Sequence, residues 1–74
     1  MHYDYSKLKG RIKEVFGTNR AFAVAINRSE RSISLKLNNL IPWSQKEIDD
    51  TCAVLGIPYA EIDTYFFAKR VQFS

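Results

Sequence analysis

Residues 27–39 read NRSERSISLKLNN, and this stretch decides how the chain is built. Ser29 carries a side-chain oxygen suited to capping a helix that begins just after it, and Glu30 places a negative charge in the first turn, where the helix dipole favours one. Ile33 and Leu37 lie one turn apart and project within about 40° of each other, so they mark the buried direction. Leu35 is then expected almost opposite, with Arg31, Ser32 and Asn38 beside it and Ser34 nearer the edge. Asn27 suits a left-handed turn before the cap, and Asn38-Asn39 closes the helix.

Working outward, the same punctuation predicts four more helices. Thr18 caps a short helix with the stripe Phe22, Ala23 and Ile26, leaving only Asn27, Arg28 and Ser29 as the link to the next. So brief a link, with a left-handed turn in it, forces a steep crossing and suits a helix-turn-helix, and the small Ala23 permits a close approach. Upstream, Ser6 is read as the cap of a first helix with the stripe Leu8, Ile12, Val15 and Phe16, ended by Gly17. Downstream, Ser44 and Glu47 have capping-box spacing, Ile48, Cys52 and Leu55 form a stripe, and Gly56 stops it. Pro58 starts a fifth helix containing Ile62, Phe66 and Phe67. The tail AKRVQFS reads equally as a short strand or an arm.

Seventy-four residues give one domain, with room for a single modest core but none for a buried active-site cavity beside it. The single cysteine excludes an internal disulfide, and one histidine excludes a Cys/His zinc site, so no cofactor or metal is expected. With no apolar run of membrane-spanning length and no leader-like start, the expectation is a cytoplasmic protein without membrane contact. Charge is divided unevenly. Residues 1–40 hold eight cations against three anions, a net of +5, whereas residues 41–74 hold three against five, a net of −2. A basic half points to an anionic partner, of which nucleic acid is the commonest.

The segments YDYSKLKGRIKEVFGTNRAFAVAINRSERSISLKLNN, PWSQKEIDDTCAVLGIP and YFF together resemble the small Cro- and repressor-like helix-turn-helix proteins of temperate phages of Gram-positive bacteria, particularly those with an SERxxSxKLN third helix. The resemblance covers nearly the whole chain. It implies an all-α, five-helix, lambda-repressor-like helix-turn-helix domain over residues 1–74, acting in a phage lysis–lysogeny switch in the bacterial host cell. It also implies that Ser29 to Leu37 enter the major groove of double-stranded operator DNA. The family often carries glutamine early in the second helix and glycine in the turn; this chain has Asn19 and Arg20, and Asn27.

On that reading Arg31 pairs with guanine, Asn38 reaches adenine or phosphate, Ser34 serves either, Leu35 touches a thymine methyl and Glu30 accepts from cytosine. Asn19, Arg20, Arg28, Ser29 and Lys36 supply phosphate contacts, joined by Lys7 or Arg11 if they share that side. A leucine at the centre of an exposed face with Arg31 and Glu30 at its rim suits a protein partner as well. The related phage switches include antirepressors, or modulators of repression, that bind the phage repressor and mask its DNA-reading helix. Operator DNA and a phage repressor protein therefore stand as two partner readings, and the aromatics Tyr65, Phe66 and Phe67 exceed what one small core needs, which allows a homodimer contact.

An enzyme is not expected. His2 sits at the terminus without a nucleophile partner, Cys52 falls on an apolar stripe, and Glu47, Asp49 and Asp50 read as a solvated acidic face. Trp43 reads as a core or capping aromatic.

Overall fold

The computed structural model describes residues 2–70. Among the described residues there are five α-helices: α1 (Ser6–Phe16), α2 (Asn19–Ala25), α3 (Glu30–Leu37), α4 (Gln45–Leu55) and α5 (Ile62–Phe66), the last preceded by a single 3₁₀ turn (Tyr59–Glu61). The all-α expectation holds, and among the described residues there is no strand beyond one isolated antiparallel bridge, Tyr3 with Lys69. None of these helices is long and apolar enough to cross a membrane.

The caps read from sequence are mostly in place. Thr18 Oγ1 accepts from Ala21 N at 3.1 Å and Ser29 Oγ accepts from Ser32 N at 3.1 Å. Ser44 and Glu47 form a reciprocal capping box at 3.2 and 2.8 Å. Each bond satisfies an amide that the first turn of a helix would otherwise leave unpaired. Asn27 and Asn39 both adopt positive φ, at 58° and 63°, and Gly56 ends α4 in the left-handed region. The exception is α1. Ser6 is its first residue rather than its cap, Tyr5 occupies the cap position without a side-chain cap bond, and Asp4 accepts from both Ser6 N and Ser6 Oγ. The aspartate two residues upstream puts a charged acceptor at the helix start, where the dipole favours a negative charge, and the Ser6 hydroxyl donates to it.

The core gathers the expected stripes. Leu8, Ile12, Phe22, Ile33, Leu55 and Phe66 are fully buried, and Ala23, Ile26, Leu37 and Cys52 pack with them. Burial pushes the Cys52 thiol upward, with Asp49 adding to the shift, which suits an inert core cysteine. Trp43 stands edge-on to Phe66 with ring centres 5.2 Å apart, as a core aromatic. Two expected core residues lie outside it: Val15 and Phe67 are both nearly half exposed. Val15 lies near the end of α1, where the buried residues are Leu8 and Ile12, and Phe67 lies just past the end of α5.

Residues 2–4 pair with residues 68–70. Asp4 N donates to Ala68 O at 2.7 Å and Arg70 N to His2 O at 3.2 Å. The part of the tail that can be described therefore pairs with the N-terminal segment, while residues 71–74 lie outside the described residues.

Candidate functional site

The link between α2 and α3 is closed by backbone bonds from Asn27 N to Val24 O at 3.1 Å and from Arg28 N to Ala23 O at 2.8 Å. With Asn27 left-handed and Ser29 extended at the cap, α3 starts within a few residues of the end of α2 and packs against it. Phe22, Ala23 and Ile26 of the first segment meet Ile33 and Leu37 of the second in the core. These contacts fix which side of α3 faces out.

That side differs from the wheel built on Ile33 and Leu37 alone. Glu30, Arg31, Ser34 and Asn38 are all exposed, as expected. Leu35 is not at the centre of the outward face: it is half-buried at one edge. Lys36, expected to reach phosphate, is 5% exposed. On the wheel Lys36 falls to one side of the Ile33–Leu37 direction, so the buried arc is rotated toward Lys36 and the outward arc is centred between Ser34 and Asn38. The result is a small polar face holding one anion, one cation, a hydroxyl and an amide. Asn38 is partly committed, since its Nδ2 donates to Ser34 O at 2.8 Å.

What turns Lys36 inward is Glu47, at the third position of α4. Lys36 Nζ lies 3.3 Å from Glu47 Oε2 and donates to Ser32 Oγ at 3.0 Å. Arg28 Nε donates to the same Oε2 at 2.8 Å, and its Nη1 donates to Asn27 O at 3.0 Å. Glu47 is itself 6% exposed. Burial alone would raise its carboxyl, but bonds from the Ser44 amide, Arg28, the Ser44 hydroxyl and Lys36 outweigh it and hold it at about 2. The expectation that Glu47 belongs to a solvated acidic face is thereby corrected, and so is the phosphate role given to Lys36. Arg28 is partly exposed but already paired. Ser29 remains the helix cap, with its oxygen in use. Asn19 and Arg20 are exposed at the start of α2.

The two optional contributors lie elsewhere. Lys7 Nζ sits 5.7 Å from the centre of the Tyr65 ring, and Arg11 bonds Leu55 O at 2.9 Å while pairing with Glu14. Their first commitments are to α5, α4 and α1, not to α3. Sequence reasoning also missed an apolar groove of about 340 Å³ where the N-terminal segment, the α3–α4 connection and α5 meet, with Tyr3, Leu40, Ile41, Trp43 and Phe67 among its walls. Leu40 and Phe67 are well exposed there. The run of apolar residues in LIPW was the available signal.

The fold and most of the sequence have a counterpart in the solution structure of the modulator of repression (MOR) of the temperate bacteriophage TP901-1 from Lactococcus lactis. The two chains are 44% identical, the match covers 97% of each, and the TM-score is 0.80. No curated protein matches the sequence. The profile of the family described as "Protein of unknown function (DUF739)" spans residues 1–69, and the chain belongs to that family.

Proposed function

We propose that this protein modulates repression in a temperate-phage switch by binding a phage repressor protein through the outward face of α3, inside the bacterial host cell. The observation that carries the reading is the 44% identity over 97% of both chains to a phage modulator of repression. The face itself supports it. Glu30 and Arg31 bring opposite charges, and Ser34 and Asn38 bring neutral donors and acceptors, which suits a polar protein surface better than a uniformly anionic duplex. The hydrogen-bonded turn before α3 fixes the backbone that presents these side chains before a partner arrives, which lowers the ordering cost of binding.

A second reading, a Cro-like helix-turn-helix that binds operator DNA, is favoured by one feature: the capped α3 displays Arg31 and Ser34 outward, with Arg20 exposed at the start of α2. Gel-shift titrations of the phage intergenic DNA at ~150 mM salt separate the two, since salt at that level weakens contacts made only to phosphate. Repressor binding predicts no shift by the protein alone and an altered repressor–DNA shift when both proteins are present. A sequence-dependent shift by the protein alone, unaffected by repressor, establishes the operator reading and removes the modulator one.

A further inference from the structure

We infer that Glu47 is an internal stand-in for phosphate that withholds Arg28 and Lys36 from nucleic acid and so keeps the α3 face from binding DNA. This goes beyond the choice of protein partner and does not require the repressor reading.

Arg28 immediately precedes the cap of α3 and Lys36 lies in its last turn, and both side chains turn to the side of α3 that faces α4. Cations beside the ends of a groove-bound helix are the ones that reach the nucleic-acid backbone. Here both converge on a single atom, Glu47 Oε2, at 2.8 and 3.3 Å. The other carboxylate oxygen is fixed as well, accepting from Ser44 N at 2.8 Å. Glu47 is therefore pinned by the capping box of α4 and cannot follow the cations outward. Each cation also donates to a second acceptor, Lys36 to Ser32 Oγ and Arg28 to Asn27 O.

A duplex phosphate would have to compete with a carboxylate already desolvated beside them, where charge–charge attraction is stronger than at an open surface. Exposed around α3 there remain Arg20 and Arg31, opposed by Glu30. The connection from α3 to α4, NNLIPWS, adds no cation. A surface shaped like a DNA reader is thus left with little charge to hold DNA.

The test is a gain of DNA binding. Glu47→Gln keeps an acceptor for the Ser44 amide and removes the charge that holds the cations. Binding to a labelled non-operator duplex is followed by fluorescence anisotropy across a salt series, with folding checked by circular dichroism. Glu47→Gln is expected to raise affinity about ten-fold at low salt and to steepen the logarithmic salt slope by ~0.9 for each additional phosphate neutralised, about one or two in all. Adding Arg28→Ala and Lys36→Met should abolish the gain. Glu61→Gln, at an exposed position, raises net charge equally and should give a much smaller change.

Should Glu47→Gln fail to fold because Lys36 is left buried and unpaired, the double variant Lys36→Met/Glu47→Gln removes that charge and still frees Arg28, with an expected slope increase of ~0.9. The inference is overturned by a folded Glu47→Gln or double variant with wild-type affinity and slope. A gain that persists without Arg28 and Lys36, or one matched by Glu61→Gln, overturns it too.

Discussion

Asn39 grips the backbone of Tyr3 with both ends of its side-chain amide: its Oδ1 accepts from Tyr3 N at 2.9 Å and its Nδ2 donates to Tyr3 O at 3.0 Å. The residue just past the end of α3 thereby takes the place of a neighbouring strand for the N-terminal segment, whose opposite edge is paired with the tail. Asn39 also has a φ of 63°. Asn39→Ala loses two partly buried hydrogen bonds and leaves in the left-handed region a residue less tolerant of it than asparagine, so a loss of about 2–3 kcal/mol is expected. Asn39→Gly tolerates that backbone and should lose less. Chemical denaturation of the three proteins checks the order; equal stability of all three would show that the Tyr3 clamp contributes nothing.

Acid should weaken the fold through Glu47. Its carboxyl is held at about 2 against an ordinary value of 4.5. A group with a depressed folded value stabilises above its unfolded value and loses that contribution as pH falls toward the folded one. Stability supplied by Glu47, up to about 3 kcal/mol, is therefore complete above pH ~5 and fades between there and pH ~2. Asp4, lowered by its bonds from the Ser6 hydroxyl and amide, acts in the same direction. Thermal midpoints measured from pH 7 to 2 should fall more steeply for the wild type than for Glu47→Gln; parallel curves would contradict the assignment.

Thr51 lies on α4 with no exposure, and its hydroxyl has no hydrogen-bond partner among the described residues. Burying an unpaired hydroxyl costs free energy that a methyl of the same size does not. Thr51→Val should accordingly stabilise the protein by about 1 kcal/mol, seen as a higher denaturation midpoint at unchanged m-value. A loss of stability would reveal that the hydroxyl is satisfied after all.

Arg31 is exposed and makes no hydrogen bond or ion pair among the described residues, so Arg31→Ala should leave the melting temperature nearly unchanged. In the proposed complex with a phage repressor it should lower affinity about ten-fold or more, since arginine at a contact centre carries a disproportionate share of binding. Isothermal titration calorimetry with the purified repressor decides it. Wild-type affinity would move the contact surface away from α3.

Residue order alone largely settles the chain's punctuation and the number of its helices. Thr18, Ser29, the Ser44–Glu47 pair and the left-handed Asn27, Asn39 and Gly56 all shape the backbone within a few residues of themselves. Such local effects depend on spacing and residue type, and both are written in the sequence. The apolar stripes likewise determine that Phe22, Ile33, Leu37 and Leu55 go inside. What the folded chain decided is the aim of α3 and the fate of its cations. Lys36 and Glu47 belong to different helices, and Asn39 and Tyr3 stand 36 positions apart, so neither pairing has a local signature. A lysine on a helical wheel is assigned to water because its charge is costly to bury. Only a desolvated carboxylate already fixed by its own helix cap reverses that preference, and its position depends on how α4 docks.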